Sequence, residues 1–356
     1  MRVFFKLFGD GNFHSFQFFT ALMSGCIIFF GYQVTKLLSE NNFNVELIFL
    51  LLGVLFFPMY GYTPFVYGEI SSAAVLLFAA WMLLKCIENF SPVCLVFLGL
   101  SAGIAVQLRK NSLIVIIGFL IVMAVKIISS RKWNILISMC SIMIGITLTN
   151  GIVSGIYNGL VENEGDEMPA ALFVAMGTND ELQNPGWWNG YNWTVFTDNN
   201  CNVEVSEEIA KETITSFAAK CKENPLYAVD FYNRKLISQW EAPMYQCLAM
   251  NNLIAGPQGK LAYAIYDDMG SEIEYFMNIY QLLLYGSVLF LLISKHKKWN
   301  TIEKYVLLIG VFGGFLFSAI WEAKTRYVFP YAIMLIPYAA IGISELITRI
   351  LAIRKR

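Results

Sequence analysis

Charged side chains are scarce in this chain. Only 14% of its 356 residues are Asp, Glu, Lys or Arg, whereas soluble proteins contain about 25%. Hydrophobic residues make up 57%, and the 25 basic and 26 acidic residues nearly cancel. This composition excludes a soluble enzyme and also a nucleic-acid-binding protein, because the latter needs a strongly basic surface. It favours an integral membrane protein.

The residues that build common catalytic centres are also few or badly spaced. There are only two histidines, and the seven cysteines lack the spacing of zinc sites. Four cysteines lie in apolar stretches, whereas Cys201, Cys221 and Cys247 lie in a polar region. One pair of these three is able to form a disulfide if that region is extracytoplasmic. Walker, GxSxG and HExxH motifs are absent, so ATP hydrolysis and serine or zinc hydrolysis have no support.

Long apolar segments dominate what is present. A bilayer core about 30 Å thick needs about 20 apolar residues in a helix. Nine segments approach this length, which predicts an all-α polytopic membrane protein with about nine transmembrane helices. The predicted spans are 16–38, 45–60, 69–87, 92–108, 112–128, 133–157, 279–294, 302–321 and 327–351.

The basic residues predict how these spans are oriented, because cytoplasmic loops carry an excess of Lys and Arg. One family of connections holds thirteen basic residues, and the alternate short connections hold six. The C-terminus is therefore predicted to be cytoplasmic and the long loop extracytoplasmic. With nine spans Met1 is predicted to lie outside, which Arg2 and Lys6 disfavour. The conflict is resolved either if one helix has been missed or wrongly divided among these spans, or if a further helix precedes Met1.

A long acidic insert interrupts the spans. Eighteen of the 26 acidic residues lie between positions 161 and 278. The sequence therefore predicts a transmembrane region 1–160 with about six helices, a mainly helical extracytoplasmic domain 161–278, and a transmembrane region 279–356 with three helices. The insert is long enough for a small domain.

Aromatic side chains are concentrated in one part of the insert, residues 184–193. Trp187, Trp188 and Tyr191 lie there among Gly and Asn. They are predicted either to stack on sugar rings or to form the core of the small domain. Further along the insert, Arg234 and Lys235 are predicted to be solvated or to face a portal at the membrane.

Two places at the outside ends of the spans carry charges with more than one interpretation. Glu69 begins a span, where the helix dipole favours a carboxylate; it is either a helix-terminal acid at the interface or an acid facing an outward cavity. Arg109 and Lys110 lie between two spans. They either extend to the lipid headgroups or bind a lipid phosphate.

A denser cluster lies in the very short connection between the last two predicted spans. It contains Glu322, Lys324 and Arg326. Outside connections normally carry few basic residues, so two of them beside an acid favour a functional site. The neighbouring Tyr327 is assigned to an aromatic belt at the membrane interface.

Several short stretches follow one another in a characteristic order. They are Leu7-Phe8-Gly9, 16–19, 58–69, Met176-Gly177, 186–193, Asn224-Pro225, Lys235, 239–243 and 322–330. In this order, with a long outside domain before the last three spans, they resemble the GT-C-type polytopic glycosyltransferases. The resemblance covers most of the chain and is strongest to the protein O-mannosyltransferase and aminoarabinose-transferase-like group of bacteria.

The resemblance implies a GT-C-like fold and sugar transfer at the outer face of a bacterial cell membrane. The implied donor is a sugar on polyprenyl phosphate, and the implied acceptor is a surface glycan or protein. A carboxylate acts as base or orients the acceptor, in some members with a divalent metal such as Mg²⁺ or Mn²⁺. Arg109, Lys110, Lys324 and Arg326 are the implied ligands of the leaving phosphate, on which negative charge develops. Glu322 and the aromatic run would bind the sugar or acceptor.

The resemblance also implies a first helix, and a loop with the principal carboxylate, before Leu7. Because the sequence begins near that stretch, the chain is expected to be an N-terminally shortened member that lacks this acid. Glu69 and Asp10 are then the candidate catalytic acids. Asp10 lies in a Gly-Asp-Gly turn, where Asp is also common for conformational reasons alone.

Other functions fit the same features. A lipid-linked-glycan polymerase or ligase also has a large outside loop and outer-face arginines, but its donor is a diphosphate-linked glycan. A transporter or flippase of lipid-linked sugars predicts broken helices in paired halves, and no internal repeat is evident. A purely structural membrane protein is the last alternative, which the charged cluster at 322–326 disfavours.

Overall fold

Helices are the regular elements of this chain. The computed structural model describes residues 2–9, 11–65, 67–131, 133–158, 167–181, 184–249, 259–294 and 299–354, and these contain no strand. The α-helices of eight or more residues are Phe13–Leu38, Phe43–Leu55, Glu69–Glu88, Pro92–Leu108, Ser112–Ser130, Asn134–Asn158, Tyr191–Asp198, Val203–Glu223, Pro225–Trp240, Gly270–Ile293, Val306–Ile320 and Phe329–Arg354. Shorter helical segments are Arg2–Phe8, Phe57–Gly61, Ala170–Met176, Lys260–Tyr263, Ala264–Asp268, Ile302–Tyr305 and Thr325–Tyr327.

Seven helical segments are long and apolar enough to cross a membrane, judged by length and composition. They are Phe13–Leu38, Glu69–Glu88, Ser112–Ser130, Asn134–Asn158, Gly270–Ile293, Ile302–Ile320 and Phe329–Arg354. The other two predicted spans correspond to shorter apolar helices, Phe43–Leu55 and Pro92–Leu108. The all-helical architecture and its polytopic membrane character are confirmed, whereas the count of nine spans stays a prediction.

A proline explains why one predicted span is shorter than expected. The apolar run 45–60 was expected to form a single helix, but the helix ends at Leu55 and a separate turn, Phe57–Gly61, follows. Pro58 lies at the start of that turn. Proline lacks an amide N–H, and its ring would clash with the carbonyl group four residues earlier in a helix, so a continuous helix is interrupted here.

The described chain forms two compact units. The first consists of Met1–Gly155, Gln246–Val311 and Phe329–Arg356, and the second consists of Ile156–Tyr245 and Phe312–Val328. The second unit therefore joins much of the predicted insert to a connection far along the chain. The division of the sequence into three consecutive regions stays a prediction.

Small residues allow close helix packing in the first unit. Glu69–Glu88 is largely buried, with Ala73 and Ala80 fully enclosed. In Pro92–Leu108 and Asn134–Asn158 the backbones approach so closely that a Cβ atom added to Gly145 would overlap the carbonyl group of Gly99. Such contacts between small residues are a common basis of helix association in membranes.

The second unit has its own apolar core. Leu172, Ala175, Phe196 and Ala210 form a buried cluster from three helices. The helix Pro225–Trp240 begins where the Asn224 side chain accepts a hydrogen bond from the backbone N–H of Tyr227, with Pro225 at the first helical position. This helix packs on its predecessor through the rings of Phe217 and Phe231, whose centroids are 4.6 Å apart.

None of the seven cysteines, which lie within the described residues, is part of a disulfide. The disulfide considered for Cys201, Cys221 and Cys247 is therefore not formed in this structure.

Candidate functional site

One acidic side chain, Glu322, lies in the interior of the second unit. It is only 4% exposed. The hydroxyl of Tyr327 donates a hydrogen bond to its Oε1 atom, and Nζ of Lys324 lies 3.8 Å from the same oxygen. Within the described part of the chain, its Oε2 atom has no hydrogen-bond partner. Because an unsatisfied buried acceptor costs free energy, Oε2 is the atom best placed to accept a hydrogen bond from a bound hydroxyl group.

An exposed indole ring lies next to this carboxylate. Nζ of Lys324 is 5.1 Å from the ring centroid of Trp188, and Trp188 is 52% exposed. The cluster of Glu322, Lys324 and Trp188 therefore combines an acceptor, a cation and an aromatic surface. These groups suit a sugar phosphate, since hydroxyls bind carboxylates, phosphates bind ammonium groups and sugar rings stack on indoles.

Backbone pairing brings these residues together from distant parts of the sequence. The N–H of Ala323 donates to the carbonyl of Gly186 at 2.8 Å, and Trp187 and Ala323 form an isolated parallel bridge. Gly186 has φ +70°, and a Cβ atom on it would lie 2.5 Å from the carbonyl oxygen of Gly177. Only glycine fits this position, because both the conformation and the space exclude a side chain.

Two further residues, Tyr327 and Arg326, lie in the same short connection as Glu322. Burial and the Glu322 carboxylate raise the pKa of Tyr327 well above its ordinary value. The Tyr327 hydroxyl therefore stays protonated and keeps donating its hydrogen bond to Glu322. The guanidinium carbon of Arg326 lies 5.5 Å from the Tyr327 ring centroid, which adds a second cation to the same connection.

Two of the predicted sugar-binding aromatics use their polar groups within the protein. The indole N–H of Trp187 donates to the hydroxyl of Ser238 at 2.8 Å. The hydroxyl of Tyr191 is 2.8 Å from that of Thr213, and the Tyr191 ring packs against the core of the unit. These contacts favour the packing interpretation for Trp187 and Tyr191. Trp188 and Trp193 are the exposed rings of the run, and Trp188 is the one beside Lys324.

A second charged pair lies in the first unit. Glu69 is 2% exposed at the start of its helix, and its Oε1 atom is 3.2 Å from Nη2 of Arg109. The Arg109 guanidinium lies 4.6 Å from the ring centroid of Tyr67. A Cβ atom on Gly68 would lie 2.7 Å from the carbonyl oxygen of Leu108, so glycine permits this close approach. The pair joins two helix ends, and each side chain neutralises the other.

The remaining predicted site residues are placed as follows. Lys110 is exposed beside Arg109. Asp10 lies outside the described residues. Sequence reasoning overlooked Tyr327 as the partner of Glu322, because an aromatic residue at a span end usually belongs to the interfacial belt.

The described residues lack a cluster of side chains that would bind a divalent metal. They contain no group of three or more His, Cys, Asp or Glu side chains that could hold one. Each charged cluster contributes one carboxylate that is already paired with a cation, whereas Mg²⁺ or Mn²⁺ is bound by several oxygen ligands. The divalent metal that the resemblance implies stays a prediction.

Comparisons with known proteins return no match: no protein-family model, no curated protein and no solved structure is similar to this chain. The relation to GT-C enzymes therefore stays an expectation based on resemblance.

Proposed function

We propose that this chain is an integral membrane glycosyltransferase of GT-C type. It moves a sugar from a polyprenyl-phosphate-linked donor to a surface glycan or protein at the outer face of a bacterial cell membrane. In this proposal the insert is extracytoplasmic and the C-terminus is cytoplasmic. The observation that carries the proposal is the buried Glu322 beside Lys324 and the exposed ring of Trp188. One of its carboxylate oxygens is paired, and the other has no hydrogen-bond partner among the residues that the structure describes.

Each group of the cluster has a role in this reaction. Trp188 stacks on a sugar ring, and Oε2 of Glu322 accepts a hydrogen bond from a sugar hydroxyl. Lys324 and Arg326 bind the phosphate. As the acceptor oxygen bonds to the anomeric carbon, the bond from that carbon to the phosphate oxygen breaks and negative charge grows on the phosphate. Fixed cations stabilise this charge in the transition state more than in the ground state.

The acceptor hydroxyl must lose its proton in the same reaction. The sequence predicts Glu69 as a candidate catalytic acid, and this stays a prediction. In the structure its carboxylate is already engaged in an ion pair, with the Oε1 atom 3.2 Å from Nη2 of Arg109. We therefore rest the proposal on the Glu322 cluster and not on Glu69.

The decisive experiment is a transfer assay with the purified chain in lipid nanodiscs. A panel of synthetic polyprenyl-phosphate hexoses and pentoses serves as donor, and mass spectrometry detects free polyprenyl phosphate and glycosylated acceptor. We expect Glu322→Gln and Lys324→Met each to lower kcat by about 10²–10³-fold, the usual effect of removing a group that stabilises transition-state charge. Lys211→Met is the matched control, because Lys211 is exposed and pairs with Glu207 on its own helix surface.

Three results would contradict the proposal. Undiminished transfer in both site variants would exclude the cluster from the reaction. Transfer from a diphosphate-linked glycan, with none from monophosphate donors, would identify a polymerase or ligase. Movement of labelled donor across the bilayer without a new glycosidic bond would identify a transporter.

A further inference from the structure

Lys235 is a fully buried cation in the second unit. It lies in the helix Pro225–Trp240 and is 0% exposed. Its Nζ atom donates hydrogen bonds to the carbonyl oxygens of Gly177 at 2.6 Å and Ala319 at 3.1 Å. Within the described residues no carboxylate forms an ion pair with it. The sequence-based expectation that Lys235 is solvated or faces a portal is therefore wrong, because the side chain points into the unit.

The two carbonyl groups belong to segments that build the Glu322 cluster. Ala319 lies three residues before Glu322, at the end of the helix Val306–Ile320. Gln239, one turn after Lys235, donates to the carbonyl of Ser318 at 3.3 Å. One helix surface thus binds the backbone of this segment at two consecutive residues.

The same side chain also contacts the opposite segment. A Cβ atom on Gly186 would lie 2.8 Å from Cε of Lys235, so the lysine stem packs directly against this turn. Gly186 in turn accepts the hydrogen bond from the N–H of Ala323. Lys235 therefore contacts Gly186, one partner of this backbone pairing, and binds the Ala319 carbonyl four residues before the other partner, Ala323.

A buried lysine costs more free energy than an apolar residue would at a position that only fills space. Burying an ammonium group without a carboxylate costs far more than burying a methionine of similar length. A Lys at this site is explained if donors are needed to hold two carbonyl groups that no helix satisfies. Each of these carbonyls lies at the end of a helix, where the last C=O groups lack intrahelical partners.

We propose that Lys235 is a positioning residue of the sugar-transfer site. It ties the segment before Glu322 to the segment around Gly177 and Gly186, and so sets where the carboxylate and Lys324 stand relative to Trp188. The proposal rests on the function proposed above, and it assigns Lys235 no contact with the reacting atoms.

This role does not require the positive charge. Burial lowers the pKa of Lys235 from 10.5 to about 7, but a neutral amine still carries two N–H donors for two carbonyls. The adjacent charged groups are engaged elsewhere, since Arg234 pairs with Asp180 and Asp230. Both hydrogen bonds are therefore expected to persist on either side of neutral pH.

The first test measures hydrogen–deuterium exchange and needs no activity. In the full-length chain in nanodiscs, Lys235→Met is expected to speed exchange of the Ala323 amide at least tenfold, while the helix Val203–Glu223 stays protected. Lys220→Met is the matched control, because Lys220 is an exposed lysine of the same unit, with its Nζ atom 3.9 Å from the Tyr227 ring centroid. Unchanged exchange at Ala323 in Lys235→Met would overturn the proposal.

The second test is a double-mutant cycle in the transfer assay. If Lys235 acts by placing Glu322, Lys235→Met lowers kcat at least tenfold, and the Lys235→Met/Glu322→Gln double variant is no slower than Glu322→Gln alone. Multiplying effects would show that the lysine acts on folding in general, and would overturn the proposal. If Lys235→Met does not fold, Gln239→Leu loosens the same segment and is expected to give the same non-additive pattern.

The two tests separate the two proposals. A wild-type chain that transfers no sugar overturns the proposed function and with it the role of Lys235 in transfer, whatever the exchange result. Transfer by the wild type together with unchanged exchange and a multiplicative cycle overturns the role of Lys235 alone.

Discussion

Side chains that are adjacent in the sequence of the second unit lie in very different environments. Trp187 and Trp188 are adjacent in sequence, yet Trp187 donates its N–H to Ser238 while the ring of Trp188 is exposed beside Lys324. Arg234 and Lys235 show the same contrast, since Arg234 reaches two surface carboxylates and Lys235 is buried. The backbone direction at each residue decides which member of the pair is available to a ligand.

The burial of Lys235 predicts an unusual dependence of stability on pH. Its pKa is about 7 in the folded chain and 10.5 as an ordinary lysine. Between these two values the unfolded chain binds the extra proton, so the free energy of unfolding rises with pH, by up to about 5 kcal/mol over the full range. Below pH 7 both states are protonated, and the full cost of burying the charge is present.

Thermal unfolding in detergent between pH 6.5 and 9 measures this effect. We expect the midpoint of the wild type to rise with pH relative to that of Lys235→Met, which has no titrating group at this position. Parallel curves for the two proteins would show that the buried lysine does not titrate in this range.

The packing of helices in the first unit depends on glycine, which has no side chain, at particular positions. A Cβ atom at Gly145 would overlap the backbone of Gly99, whereas a Cβ atom at Gly151, further along the same helix, would meet nothing within 4 Å. The helix Asn134–Asn158 therefore needs glycine at one position for packing and tolerates alanine at the other.

This pair of glycines gives a matched test of helix packing. Gly145→Ala is expected to lower the free energy of unfolding by about 1–3 kcal/mol, because overpacking forces the two backbones apart. Gly151→Ala is expected to be neutral or slightly stabilising, since alanine is the better helix former. The midpoints of thermal unfolding of the two variants compare the effects, and equal midpoints would contradict the close packing at Gly145.

For the molecule as a whole, the seven apolar helices fit a multi-pass membrane protein, and the orientation is our proposal from the distribution of basic residues. Cys201 offers a direct test, because it is an exposed free thiol within the insert. If the insert is extracytoplasmic, a membrane-impermeant maleimide labels Cys201 in intact cells, and Cys201→Ser loses most of that label. Labelling that appears only after the cells are permeabilised would reverse the orientation.

The sequence by itself determined the membrane character and most helices of this protein. These follow from the length and composition of continuous segments, which are local properties. It also singled out Glu322, Lys324 and Arg326, because three charges in one short connection between apolar runs are unusual. The interruption of the second apolar run was not predicted from the sequence. Hydrophobicity alone predicts one continuous helix there, and the helix-breaking effect of Pro58 has to be considered as well.

Only the tertiary structure decided which residues join this connection. The pairing of Ala323 with Gly186 brings Trp188 to Lys324, and the carbonyl groups of Gly177 and Ala319 accept hydrogen bonds from the buried Lys235. These contacts link residues far apart in the chain, and no periodicity or spacing encodes them. The burial of a charged side chain depends on the backbone groups that other segments bring to it, which is why Lys235 looked like a surface residue in the sequence.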